Sequence, residues 1–213
     1  MKTDDLISLL ATGNTPVRQH ATTQALLLAI CAGGALSLLT LAGRMGLPAN
    51  LLSSMQLPAL WIKLLPLVAL AVAGFVLTHR LARPGARIGA AGWGIALPLL
   101  AIWLLALVTL MQAAPEERLP LLLGRTWRVC ILNILTFSAP VLAAGFMALR
   151  SLAPTRPALA GAAAGMLAGG VGASIYALRC PELAPAFVAV WYIAGIAATA
   201  LLGAALGPRL LRW

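Results

Sequence analysis

The sequence predicts an all-α integral membrane protein, a bundle of six transmembrane helices joined by short loops. Three observations predict it: 62% of the 213 residues are hydrophobic, only 9% are charged, and the apolar residues gather in six long runs. An ordinary soluble domain carries about 25% charged residues, so this chain cannot cover itself with polar surface. A helix of about 20 apolar residues crosses a bilayer core, whereas a membrane barrel is built from short alternating segments.

The six predicted spans lie near residues 24–43, 59–79, 90–111, 129–149, 157–177 and 185–206. They form a transmembrane domain over residues 21–213, preceded by a cytoplasmic head of residues 1–20, and no second domain is expected. We expect the first span to be retained rather than cleaved as a signal peptide. Its preceding region is long and carries Asp4 and Asp5, where a secretory signal has an uninterrupted basic start.

Basic residues outnumber acidic ones by 15 to 5, but they are scattered singly through the loops. That scatter argues against direct nucleic-acid binding and favours the positive-inside rule. With the N-terminus in the cytoplasm, nine basic residues fall inside and six outside. The expected topology therefore has both termini in the cytoplasm. Lys63, one turn inside the second span, is expected to snorkel outward along its stem.

The sequence of the head, residues 1–20, predicts a short amphipathic helix. Leu6, Leu9 and Leu10 share one face at helical spacing, and Asp4 and Asp5 lie in the first turn, where the helix dipole favours negative charge. One interpretation is a helix lying on the inner membrane surface. The other is a docking segment for a soluble partner, and the acidic pair favours it, because interfacial helices usually carry a basic polar face.

Small residues recur at four-residue spacing in the last two spans. Gly161, Gly165 and Gly169 lie on the fifth span, and Gly203 and Gly207 repeat the pattern on the sixth. Small residues at this spacing let two helices approach closely in lipid. The pattern therefore predicts helix packing rather than a ligand site.

Two of the three cysteines stand near predicted helix ends at the outer face. Cys130 follows Arg128 by two residues, and Cys180 directly follows Arg179. A nearby cation raises the reactivity of a thiol. Such a pair can form a disulfide or bind a soft metal ion, and the alternative is a structural disulfide or two unrelated thiols. Cys31 lies in the first span and is expected to act as a small hydrophobe.

Several function classes lose support from what the sequence lacks. No Asp or Glu lies within a predicted span, whereas proton-coupled transporters generally need intramembrane ionisable groups. The sequence also has no phosphate-binding glycine loop, no zinc-type CxxC pair and no HExxH motif. We therefore expect neither an enzyme of these classes nor a cofactor.

Several segments make the chain recognisable: "MKTDDLISLLA" at the start, "WRVC" at 127–130, "LAPTRPALAGAAAG" at 152–165, "YALRCPE" at 176–182, "AVWYIAG" at 189–195 and "LGPRLLRW" at 206–213. Together they resemble the NrsF family of bacterial inner-membrane negative regulators of sigma-F. The resemblance runs along the whole chain. Its most specific parts are the two cysteine motifs.

The resemblance implies a non-enzymatic anti-sigma factor that holds an extracytoplasmic-function sigma factor at the membrane. It also implies that Cys130 and Cys180 sense thiol-reactive metal or redox stress in the periplasm, through a disulfide or a transient metal bond. The supporting environment would be Trp127, Arg128, Tyr176, Arg179, Pro181 and Glu182, and the sigma factor would be bound through Asp4, Asp5, Leu6, Leu9 and Leu10. The alternative is a membrane thiol–disulfide oxidoreductase coupled to quinone.

Overall fold

The computed structural model describes residues 21–46, 55–83, 89–152 and 154–211, together with Asp5, Ser8 and Ser53. In these segments the chain is helical and contains no strand, which confirms the all-α prediction. The main helices are α1 (Ala21–Met45), α2 (Pro58–Leu81), α3 (Trp93–Gln112), α4 (Pro115–Leu123), α5 (Trp127–Arg150), α6 (Pro157–Ala177) and α7 (Pro185–Leu210). Four of them begin with proline, whose fixed φ suits the first helical turn.

Within the described residues, six helices are long and apolar enough to cross a membrane, by length and composition. Their outward surface carries many large apolar side chains, and α3 is the clearest case, since only Ile102 and Ala106 are buried on it. So much exposed apolar surface is typical of a protein that meets another apolar phase. The short amphipathic helix α4, between the third and fourth spans, was not predicted from the sequence.

Helix α6 is the central element and packs against α2, α5 and α7. Its glycines allow this, because a side chain at Gly165 would collide with the backbone of Thr199 and Ala200 on α7. In the same way, a side chain at Gly170 would meet the backbone of Ala71 on α2 at 2.7 Å. The predicted packing role of the glycine pattern is thus confirmed, and it extends to α2.

Successive spans run antiparallel, so their termini gather at two ends of the bundle. Along α6 and α7, Gly161 meets Gly203 while Gly169 meets Ile196. We call the "thiol end" the end formed by the starts of α2, α5 and α7 and the finish of α6. The "opposite end" contains the start of α1 and the finish of α2, where the Thr23 hydroxyl and the His79 ring share a hydrogen bond of 3.1 Å.

Most of the predicted head lies outside the described residues, including Asp4, Leu6, Leu9 and Leu10. Asp5 and Ser8 have helical backbone, and the Ser8 hydroxyl donates to the carbonyl of Asp5 at 2.9 Å. Both side chains are exposed. The use of the head as a binding segment stays a prediction.

Candidate functional site

Both thiols of interest lie at the thiol end and belong to one buried hydrophobic cluster. Cys130 is in the first turn of α5 and is 0% exposed, and Cys180 is in the turn that follows α6 and is 6% exposed. Both are free thiols. The fold therefore places two cysteines that are 50 positions apart in one cluster, while their action as a pair stays a prediction.

Lys63 on α2 also points into this cluster and is 1% exposed. Its ammonium donates to the carbonyl of Cys180 at 3.0 Å and to that of Ala177 at 3.3 Å. The expectation that Lys63 snorkels outward is therefore wrong. The fold turns it inward because its stem reaches the last turn of α6, where main-chain carbonyls have no partner within the helix.

The guanidinium groups expected to lie beside the thiols have other partners, although Arg179 lines the same surface clefts as Cys180. Arg179 is exposed and donates from Nε to the carbonyl of Met45 at 3.2 Å. Arg128 is exposed and stacks on the ring of Trp127, with its guanidinium carbon 5.3 Å from the ring centroid. Lys63 is instead the cation that interacts electrostatically with Cys130.

Aromatic rings pack around the thiols. Tyr176 on α6 stacks between Phe137 and Tyr192, with centroid distances of 6.0 and 5.8 Å. The ammonium of Lys63 lies 5.0 Å from the centroid of the Tyr192 ring. Tyr192 belongs to a π-helical turn, Val188–Tyr192, and its hydroxyl is buried. π-Helical turns frequently mark functional sites, so the irregularity of α7 coincides with the cysteine cluster.

The two thiols differ in their access to the surface. Cys180 lines two clefts of about 290 and 250 Å³, and Pro181, which is exposed, lines both with it. Asn133 and Tyr176 line the larger cleft. Cys130 lines neither cleft. A reagent that enters from this end meets Cys180 first.

The turn around Cys180 is tied to the start of α5. The hydroxyl of Thr126 and the Cys180 sulfur share a hydrogen bond of 3.7 Å. The carboxylate of Glu182 accepts from the main-chain N–H of Arg125 at 2.7 Å. Gly124 has a φ of 55°, and a side chain there would collide with Glu182, so this close approach requires glycine. Glu182 thus holds the turn against the start of α5.

Trp127 connects the site to α4. Its ring packs against Trp191 at 5.3 Å, and the Trp191 indole N–H donates to the carbonyl of Leu122 at 2.9 Å. Helix α4 therefore lies against the same end of the bundle as the thiols.

The described residues contain no group of three or more His, Cys, Asp and Glu side chains placed to hold a metal ion. A metal at this site would depend on the two thiols, which suit a soft ion when deprotonated. The chemistry that the arrangement supports is thus thiol chemistry: a disulfide, or a bond to a soft metal or another electrophile.

Sequence reasoning missed three members of the cluster: Lys63, Thr126 and Tyr192. One signal was available for Lys63, because an ionisable residue inside a span is by default a functional-site candidate. Thr126 and Tyr192 carried no comparable signal, since a threonine before a helix and a tyrosine near an interface are both ordinary.

Comparisons with known proteins extend over the whole chain. A family model described as NrsF, negative regulator of sigma F, matches residues 10–213. The chain is 41% identical over 213 residues to a protein of Azospira oryzae named probable anti-sigma-F factor NrsF, and the match covers 100% of both chains. It is 38% identical over 215 residues to the anti-sigma-F factor NrsF of Caulobacter vibrioides, again over 100% of both. No solved structure matches significantly.

Proposed function

Because the chain belongs to the NrsF family of negative regulators of sigma F, we propose that it is a membrane-bound anti-sigma factor. In this proposal it sequesters an extracytoplasmic-function sigma factor at the bacterial inner membrane. Its role is regulatory rather than catalytic. The full-length identity to two anti-sigma-F factors is the observation that carries the proposal.

The membrane location is supported by six helices of sufficient length and apolarity and by their apolar outward surface. Nine of the 15 basic residues fall on the side of the N-terminus, which favours a cytoplasmic location for both termini. The thiol end then faces the periplasm, and the opposite end faces the cytoplasm, where the sigma factor is.

The sigma factor is held by the N-terminal head, through the apolar face of Leu6, Leu9 and Leu10. Asp4 and Asp5 pair with basic groups of the partner. An apolar face of this size supplies affinity, while the charges mainly affect the association rate and the specificity. The head directly precedes α1 in the sequence, and the first turn of α1 contacts the finish of α2 at His79.

Cys130 and Cys180 are the sensor that releases the sigma factor. Their common buried cluster at the thiol end supports this role. An oxidant that accepts two electrons joins the sulfurs in a disulfide and releases two protons. A soft metal ion instead replaces the two thiol protons and bridges the sulfurs. Either reaction draws on both thiols and changes the packing at this end of the bundle.

The test is co-purification. Tagged protein should be extracted from membranes in mild detergent, with and without treatment of the cells with diamide, a thiol oxidant, or with Cd²⁺, a soft metal ion. We expect a sigma factor to co-purify from untreated cells and to be depleted after either treatment. A preparation that retains no sigma factor under reducing conditions would contradict the anti-sigma role. A sigma factor that remains bound after both treatments would contradict the thiol sensor alone.

A further inference from the structure

Lys63 makes contacts that join three helices at the thiol end. It belongs to α2, its ammonium donates to carbonyls at the finish of α6, and it lies over the ring of Tyr192 on α7. A lysine is rarely buried, because removal of the ammonium from water is costly unless polar partners replace the water. A side chain that is 1% exposed is therefore held by these particular partners.

One of these partners belongs to a candidate sensor residue. Cys180 presents its sulfur to the thiol cluster and its main-chain carbonyl to Lys63, at 3.0 Å. A displacement of this one residue changes both the thiol geometry and the anchor of α2. The carbonyl of Ala177, three positions earlier, is the second and longer bond at 3.3 Å.

We propose that Lys63 is the positioning residue that couples the state of the two thiols to helix α2. Its bond to the Cys180 carbonyl is made in the reduced, sigma-bound state and is lost when the thiols are modified. This inference rests on the proposed function, since it assigns the first step by which a modified thiol pair releases the sigma factor.

The difference between the two thiols determines which of them moves. Cys130 is in the first turn of a long helix that packs against α1, α6 and α7. Cys180 follows the end of α6, where its main-chain N–H still donates to the carbonyl of Tyr176 at 3.0 Å, and the residues after it, 181–184, are not helical. A bond between the sulfurs, or a metal bridge, is therefore accommodated by the Cys180 turn. The carbonyl that Lys63 contacts moves with that turn.

Loss of the hydrogen bond to the Cys180 carbonyl favours a rearrangement of the helices rather than a small local relaxation. A buried ammonium that loses an acceptor must find another or reach water, and close-packed helices have discrete arrangements. α2 and α6 are in close backbone contact at two glycines, with Gly74 against Leu167 and Gly170 against Ala71, so they can change their relative position only in discrete steps. We infer that the bonds of Lys63 determine which position α2 takes along α6.

Helix α2 carries the change to the opposite end. Lys63 and His79 are 16 residues apart on this helix, a distance of about 24 Å at the usual helical rise. There the His79 ring shares a hydrogen bond with Thr23 in the first turn of α1. Since the head directly precedes α1 in the sequence, a shift of α2 reaches the segment proposed to hold the sigma factor.

The test compares Lys63→Met, which keeps an unbranched apolar stem and removes every donor, with Lys63→Arg, which keeps charge and donors. We expect sigma-dependent transcription without inducer to rise at least about tenfold in Lys63→Met, because the variant loses both hydrogen bonds from a charged donor and so shifts the two-state equilibrium. Lys63→Arg should restore most of the repression. Immunoblots of membranes should establish equal amounts of each variant.

A double variant distinguishes the proposed coupling between the thiols and α2 from a general loss of stability. Cys180→Ser alone should repress and fail to respond to diamide, whereas Lys63→Met combined with Cys180→Ser should be as derepressed as Lys63→Met alone. Normal repression and normal diamide response in Lys63→Met would overturn the role of Lys63. A full diamide response in Cys180→Ser would instead contradict the proposed thiol sensor.

If Lys63→Met does not reach the membrane, hydrogen exchange on the purified wild-type protein tests the coupling between the thiols and α1 instead. After diamide treatment we expect faster amide exchange in residues 178–184 and in the first turn of α1. Faster exchange in neither segment, in protein shown by mass spectrometry to be oxidised, would overturn the coupling.

Discussion

The ammonium of Lys63 lies 3.0 Å from the main-chain carbonyl of Cys180, inside a bundle whose other spans carry no buried cation among the described residues. This one bond joins the start of α2 to the turn that carries a thiol. It also places the Lys63 side chain near both cysteines. The surroundings of the thiols and the packing of α2 therefore involve the same side chain.

The first prediction concerns the order in which the thiols react. Cys180 lines two clefts, whereas Cys130 is fully buried, so a maleimide added to membranes should label Cys180 before Cys130. We expect a rate difference on the order of tenfold or more, because Cys130 requires local opening of the bundle. Peptide mass spectrometry of a time course measures both sites, and equal labelling rates would contradict the described packing.

The second prediction concerns topology. Reporter fusions at Trp213 and within residues 112–126 should give a cytoplasmic and a periplasmic signal, respectively. The physical basis is the excess of basic residues, nine against six, on the side of the N-terminus. A periplasmic signal at Trp213 would place both thiols on the cytoplasmic side and would remove the basis for a periplasmic sensor.

The helices could be predicted from the sequence because each span is a long apolar run, and run length alone identifies a membrane-spanning helix. Helix α4 was not predicted because Pro115–Leu123 is short, amphipathic and acidic in its first turn, which is also typical of a loop. The meeting of α6 with α7 was predictable from the spacing of Gly161 and Gly165, since small residues four apart mark a close contact.

The site was less predictable because side-chain direction depends on packing partners that are distant in sequence. Arg179 adjoins Cys180 in the chain, yet its side chain reaches Met45 while the thiol turns into the bundle. The sequence places Lys63 one turn inside a span but does not tell whether that face meets lipid or α6. The finish of α6, 114 positions away, decides it by offering the Ala177 carbonyl.

The third prediction tests the packing of α6 on α7. Gly165→Val should destabilise the bundle by about 1–3 kcal/mol or more, because the added side chain meets the backbone of Thr199 and Ala200. Gly34→Val is the matched control, since a side chain at Gly34 on α1 meets no atom within 4 Å. Thermal unfolding in detergent compares the two, and equal stability losses would show that helix propensity, not packing, accounts for the effect.

The fourth prediction concerns the head. Deletion of residues 2–12 removes Leu6, Leu9 and Leu10 together with the acidic pair, so it should release sigma activity without preventing membrane insertion. Sigma-dependent transcription and membrane immunoblots are the measurements. Unchanged repression at a normal protein level would contradict binding by the head. It would indicate that the sigma factor binds to the loops at the opposite end, near Arg83 and Arg150.

The fifth prediction is that Cys130 and Cys180 act as one switch. Both belong to one buried cluster beside Lys63, and a disulfide or a two-thiolate metal bridge needs both sulfurs. Cys130→Ser, Cys180→Ser and the double variant should therefore lose induction by diamide and by Cd²⁺ to the same extent. Cys31→Ser is the matched control and should respond normally, because Cys31 is exposed on α1, away from the cluster.

A quantitative reporter assay distinguishes a pair from two independent thiols. If the sulfurs act together, the second serine adds nothing to the first, since either one already prevents the bridge. A modification that does not change the balance between the sigma-bound and released states has no effect on release. Partial induction in each single variant, with effects that add in the double variant, would show that each thiol reacts separately and that the bridge is not the signal.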